Sequence, residues 1–179
     1  VDSLMVPMVD EFVEETKTKK QLRWYVNSRI VQINISNRVE NTNAEKDFLN
    51  LIHETKLLGD TLMISKAYKA LTLYLFHTGD YANKLEYEIE HLNLIEENNK
   101  NTDYYIQQLH RVGNGYQGLK KYELAREYYD KALVQATLNE NLGSISGTHI
   151  NLADLEFELG NDSLNQYHLE QVCWQFLRG

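Results

Sequence analysis

The sequence predicts an all-α protein built from stacked helical hairpins, and three observations carry that prediction. Apolar residues recur at gaps of three and four, as in Tyr81, Leu85, Ile89, Leu92 and Ile95, which sets them on one face of a 3.6-residue helix. Pro7 is the only proline and the nine glycines are scattered, so no linker, low-complexity tract or proline-bounded strand set divides the 179 residues. One pattern, a helix, a short turn and a second helix, returns about every 40 residues, with turns at Gly79, Lys120 and Gly160.

Along the chain, "SLMVPMVDEFVEET" reads as an opening helix with Leu4, Met8, Phe12 and Val13 on a shared face. The first hairpin, about 21–58, joins helix 21–38 to helix 44–58 through the turn "VENTN". The second, about 62–98, contains "AYKALTLYLFHTGDYANKLEYEIEHLNLIEEN". The third, about 103–138, carries the stripes Tyr105, Leu109, Val112, Tyr116 and then Tyr122, Ala125, Tyr129, Ala132, Leu133, Ala136. The fourth, about 144–177, contains "THINLADLEFELGNDSLNQYHLEQVCWQF". Asp80, Asp103, Ser144 and Asp162 stand near expected helix starts, where a side-chain oxygen can accept bonds from first-turn N–H groups. A lone hairpin cannot hide its apolar stripe, so neighbouring hairpins must stack, and 1–179 is expected to form a single domain.

Composition narrows the function classes. With 42% hydrophobic and 25% charged residues, the chain has the makeup of a globular protein. Its formal net charge of −8 opposes nucleic acid and anionic lipid, since binding there begins with Lys and Arg neutralising phosphates. Cys173 is the only cysteine, which excludes an intrachain disulfide and fits the reducing cytoplasm, as well as a thiol-poor periplasmic sensory domain. No apolar run approaches the roughly 18 residues of a membrane span. The basic run "KTKK" at 17–20 with Arg23 reads as the solvated end of a helix, its charge offset by "EFVEE".

Gly113, Gly115 and Gly118 in "VGNGYQGLKK" have the G-x-G-x-x-G spacing of a dinucleotide fingerprint. That fingerprint needs a strand before the first glycine, so that phosphates meet the free N–H groups of an opening helix. Here "DYYIQQLHRV" precedes it and is amphipathic and helical, which puts Gly113 in mid-helix as a close-packing residue. Six histidines, at 53, 77, 91, 110, 149 and 168, are spread through separate helices, and no H-E-x-x-H, G-x-S-x-G or P-loop occurs. Glu86, Glu88, Glu90, Glu96 and Glu97 read as solvated helix faces. No cofactor, metal site or catalytic centre is expected.

"RVGNGYQGLKKYELAREYYDKAL" resembles the tetratricopeptide repeat (TPR) family. It supplies Val112, Gly113 and Tyr116, then Tyr122, Ala125, Tyr129 and Ala132, in the family's small-and-aromatic pattern across about one repeat, residues 106–137. The second hairpin keeps Leu71, Gly79, Asp80 and Tyr81 but has Thr72 and Lys84 where small residues are expected. The fourth keeps Leu152, Ala153 and Gly160 but has Asn165. The period is about 40 instead of 34 residues, and the proline that commonly ends each unit is missing. In this the chain is similar to the elongated repeats of bacterial regulatory proteins, including peptide-pheromone receptors and the sensory halves of diguanylate cyclases and histidine kinases.

The resemblance implies a right-handed α-solenoid of about four TPR-like hairpins plus the N-terminal helix, with the first helix of each unit lining a concave surface. The implied inward stripe is Gln107, His110, Asn114 and Gln117 in the third hairpin, Lys66, Lys69, Leu73 and Phe76 in the second, and Gly147, Ile150, Asp154 and Phe157 in the fourth. Amides suit peptide backbone, aromatics accept side chains and lysines meet a carboxylate. Leu73, Phe76, Ile150 and Phe157 fit a groove or the core equally well. Only Lys69 and Asn114 match the family's carboxylate-clamping set. The last helix ends with Val172, Cys173, Trp174, Phe176 and Leu177, an apolar finish that points to a further repeat, a following domain of a longer protein or a homodimer contact. The implied function is a non-enzymatic protein- or peptide-binding scaffold in bacterial signalling. The alternative is a peptide-pheromone-sensing transcriptional or phosphatase regulator whose curvature changes on binding.

Overall fold

A computed structural model describes residues 7–11, 13, 21–40, 44–98 and 102–177, and among them every regular element is helical. We number the helices α1 Leu22–Glu40, α2 Ala44–Leu58, α3 Thr61–Thr78, α4 Tyr81–Asn98, α5 Asp103–Gly118, α6 Tyr122–Leu138, α7 Leu142–Glu158 and α8 Asp162–Phe176. Of the opening helix expected from sequence, residues 7–11 and 13 are helical; Leu4 and Phe12 lie outside the described residues, as does the basic run 17–20. Val13 is buried and Met8 is exposed, so these two do not share a buried face.

The chain divides into two compact units, Val1–Asp80 and Tyr81–Gly179. In the first, α2 packs against both α1 and α3, and α1 also meets α3. Phe48, Leu51 and Ile52 of α2 meet a core that includes Val26 and Ile33 of α1 and Ala67, Tyr68, Leu71 and Leu75 of α3. The Phe48 and Tyr74 rings lie 5.9 Å apart. Tyr25 donates its hydroxyl to Glu54 Oε2 at 2.6 Å, and burial together with that carboxylate pushes its pKa up to about 12.

In the second unit each helix from α4 to α8 packs against the next, and α5 also meets α7. Leu85, Leu92 and Ile95 of α4 join Tyr105, Ile106, Leu109 and Val112 of α5 and Ala132 and Ala136 of α6 in one core cluster. A second cluster sets Ala125 and Tyr129 of α6 against Leu152 and Leu155 of α7. Tyr81 departs from the expected stripe: in the first turn of α4 it lies beyond the cluster and is half exposed. Glu88 departs the other way. It is buried, with Lys84 Nζ 2.8 Å away, and burial raises its carboxyl pKa despite that lysine.

The turns share one device. The N–H groups of Lys121, Asn141 and Asn161 each reach back five residues, to the carbonyls of Tyr116, Ala136 and Glu156 at 2.9, 3.0 and 2.8 Å. This closure requires a left-handed residue just before, supplied by Lys120 (φ 57°), Glu140 (φ 52°) and Gly160 (φ 72°). In the first unit Asp80 repeats the bond to Leu75 after Gly79 at φ 79°. The helix starts correct three expected caps. Thr102 and Asn141, not Asp103 and Ser144, accept the first-turn N–H groups, at Tyr105 and Ser144. Asp162 is the first residue of α8, and Asn161 before it makes no side-chain cap bond. Asp60, unforeseen, caps α3 through Leu62 and Met63.

Gly113 lies in mid-helix, where a Cβ would stand 2.4 Å from Cε1 of Tyr129. The Tyr129 ring is fully buried and cannot yield, so Gly113→Ala is expected to destabilise the protein. Overpacking costs about 1–3 kcal/mol and outweighs the helix-propensity gain of about 1 kcal/mol. Gly147, in mid-helix with nothing within 4 Å of its Cβ position, gives the opposite sign: Gly147→Ala should stabilise by about 0.5–1 kcal/mol. Urea unfolding of both variants checks the pair; equal shifts would contradict the close approach at Gly113.

Candidate partner-binding surfaces

In the first unit, Lys66, Lys69, Leu73 and Phe76 rise along α3. The first two are half-buried, while Leu73 is 57% and Phe76 50% exposed. Lys66 Nζ donates to Asn27 Oδ1 of α1 at 3.2 Å. The next residues in line, Leu71, Thr72 and Leu75, are buried. Leu73 and Phe76 therefore belong to a surface of α3 and not to its core.

The second unit gathers the remaining predicted residues on adjoining α5 and α7. Gln107 and Asn114 are exposed, His110 and Gln117 half-buried, and across from them Ile150, Asp154 and Phe157 are exposed, Phe157 by 69%. Leu152, Ala153 and Leu155 of the same helix are buried, so the apolar side chains of α7 divide into an inner stripe and an outer one.

Hydrogen bonds fix how the α5 side chains are presented. Gln117 donates Nε2–H to Glu158 Oε1 at 2.7 Å, which leaves its Oε1 to accept the Tyr129 hydroxyl at 2.8 Å. The Asn114 amide lies 2.6 Å from the same hydroxyl. A phenol has one hydrogen, and Asn114 Oδ1 and Gln117 Oε1 both face it as acceptors, which leaves the Asn114 NH2 turned away from the hydroxyl. Burial, with Asp154 and Glu158 near, pushes the Tyr129 pKa well above its ordinary value and keeps the phenol protonated. His110 Nε2 lies 2.7 Å from Thr148 Oγ1, whose own hydrogen goes to the Ser144 carbonyl at 2.7 Å. Nε2 must therefore carry the proton, and burial lowers the His110 pKa so that the ring stays neutral, with Nδ1 as its acceptor.

Sequence reasoning missed three polar groupings. Glu88 is the first. The second is Glu156, fully buried on α7, which pairs with Arg126 of α6 and accepts from Asn161 Nδ2 at 2.7 Å; burial alone would raise its pKa, and these bonds hold it below the usual range. The third joins His149 of α7 to His168 of α8, Nδ1 to Nδ1 at 3.0 Å, so two of the histidines read as dispersed meet in space. Nothing in the linear order signals that pairing. Among the described residues no group of three or more His, Cys, Asp or Glu is placed to hold a metal ion, and no helix is long and apolar enough to cross a membrane.

This architecture is the TPR-like fold, an all-α repeat of consecutive antiparallel helix pairs. BtubC (BKLC) from P. vanneervenii is similar in structure with a TM-score of 0.76 at 16% identity, covering 96% of this chain and 72% of that one. The apo form of RapI matches with a TM-score of 0.57 at 11% identity over 99% of this chain and 79% of RapI. A Rap protein complexed with competence and sporulation factor matches with a TM-score of 0.58 at 17% identity over 99% of this chain, which spans 57% of that protein. No family model matches the sequence, and no curated protein matches it.

Removing the hydroxyl that ties the two amides tests the bonding. Tyr129→Phe keeps the ring against Gly113 and should cost about 1 kcal/mol, the usual net worth of a hydrogen bond, in urea unfolding with helicity unchanged. An unchanged midpoint would refute the bonds from Tyr129 to the two amides.

Proposed function

We propose that this chain is a non-enzymatic interaction scaffold that captures a protein segment or peptide. The observation that carries this reading is the outward Ile150 and Phe157 beside the oriented amides of Asn114 and Gln117 on α5 and α7. Exposed apolar side chains next to fixed amide groups suit an extended backbone with alternating side chains. Gln107, His110 and Asp154 extend this surface. In the first unit Lys66, Lys69 and Phe76 form a separate candidate surface suited to a carboxylate with an apolar neighbour. The reading places the chain in the sensory or partner-binding region of a longer bacterial signalling protein, such as a diguanylate cyclase or histidine kinase, and in the cytoplasm. Trp174 and Leu177, exposed at the end of α8, suit a homodimer or a following domain.

The similarity to a Rap protein complexed with competence and sporulation factor favours a second reading, a peptide-sensing regulator whose curvature answers to ligand. X-ray scattering with and without a bound peptide separates the two, since a rigid adaptor keeps its dimensions.

Peptides selected from a random library on the immobilised protein supply the probe. Asn114→Ala and Phe157→Ala should each weaken binding about tenfold, roughly 1.4 kcal/mol, with circular dichroism unchanged. Lys69→Ala should weaken only ligands that engage α3. Full affinity in both Asn114→Ala and Phe157→Ala would rule out the α5–α7 surface.

A further inference from the structure

α8 packs against α7 and leaves most of its own side chains to solvent. None of its described residues is fully buried, and Leu164, Tyr167, Leu169 and Trp174 are all substantially exposed. Polar ties join it to α7: Asn165 Nδ2 donates to the Ala153 carbonyl at 2.8 Å, and His168 meets His149. A helix that buries little apolar surface opens locally at a lower free energy than the core helices. The state of those ties then governs whether it stays docked.

The histidine pair depends on its proton count. Two facing Nδ1 atoms 3.0 Å apart share a bond only if one carries a hydrogen and the other a lone pair. A first added proton goes to an outer Nε2 and leaves the bond intact. A second forces hydrogens onto both Nδ1 atoms and sets two imidazolium rings against each other, where the ring centres are 5.3 Å apart.

We propose that the His149–His168 pair is a proton-operated latch, which holds α8 against α7 at neutral pH and releases it on acidification.

The surroundings bias the latch. From α6, the Arg126 guanidinium opposes protonation of His168 and the Asp130 carboxylate favours it; from α7, Glu156 favours it; Tyr167 of α8 lies edge-on to the ring at 5.2 Å. Arg126 is already paired with Glu156. Burial, and then the other imidazole, lower the His149 pKa, while burial with Arg126 lowers that of His168 against the two carboxylates. Both folded values lie below the ordinary 6.5, so the stabilisation is present above about pH 6.5 and is lost as pH falls through the folded values, where the released state binds more protons.

Hydrogen exchange of the full chain at pH 7.5 and pH 5, in chelator and corrected for intrinsic rates, tests this. Opening of Asp162–Phe176 should increase on the order of tenfold per pH unit across the linked range, while Tyr122–Leu138 changes little. His149→Gln and His168→Gln should each make α8 opening independent of pH, and His110→Gln, at a half-buried histidine of α5, should leave the acid response in place. Should either Gln variant fold poorly, NMR titration of the wild type decides: two separated steps for the pair support the latch. Exchange of α8 that ignores pH in the wild type, acid release that survives both Gln variants, or both rings titrating together near the ordinary value would overturn it.

Discussion

Tyr129 can lie where it does only because Gly113 has no side chain. A Cβ on residue 113 would overlap the ring at 2.4 Å, so α5 and α6 could not approach as they do, and the cluster of Ala125, Tyr129, Leu152 and Leu155 would lose its central member. The same ring carries a hydroxyl past the core to the surface, where it meets Asn114 and Gln117. Core packing and the orientation of two surface amides are thus joined in one residue. The ring fixes the helix pair, and its single hydrogen decides which way two surface amides point.

The turns add a second constraint. The same five-residue back-bond closes α5, α6 and α7, and its left-handed position is occupied by Lys120, Glu140 and Gly160 in turn. A left-handed conformation costs a non-glycine residue roughly 1–2 kcal/mol, yet Lys120 and Glu140 accept it. The cost is offset by satisfying carbonyls at each helix end and by letting the next helix start at once, so successive pairs fall into register.

These two constraints explain what can be read in the linear order. Gly79 and Gly160 mark turns by their chemistry, whereas Lys120 becomes legible only by its alignment with them about 40 residues away on either side. Caps are blurred because polar residues cluster at helix starts: Thr102 precedes Asp103, and Asn141 follows Asn139 and Glu140, so several oxygens compete and geometry selects one. The division of α7 into Leu152 and Leu155 inside and Ile150 and Phe157 outside is undecidable from spacing, because a helix packed on two sides carries two apolar stripes. Glu88 looks solvated in "LEYEIE", and it is the packing of α5 against α4 that buries it, an approach close enough that a Cβ on Gly115 would stand 2.8 Å from Leu85. His149 and His168 lie nineteen positions apart on different helices, and only the packing of α7 against α8 makes them a pair.

Three buried or half-buried ionisable groups of the second unit follow a common rule. Each is held by partners on a neighbouring turn or helix: Glu88 by Lys84, Glu156 by Arg126 and Asn161, His110 by Thr148. A buried charge that loses one partner becomes strongly unfavourable, while a matched pair contributes little beyond an apolar substitute. Stability alone is therefore a weak reason for these groups, and orientation is a better one. Thr148 fixes the His110 tautomer and Glu158 fixes the Gln117 amide, so the α5–α7 face presents a set pattern of donors and acceptors. Exposed Ile150 and Phe157 supply apolar area beside that pattern, and area without direction would hold many sequences equally. Under the proposed binding role, the fixed amides and the neutral imidazole are what would let the surface choose among them.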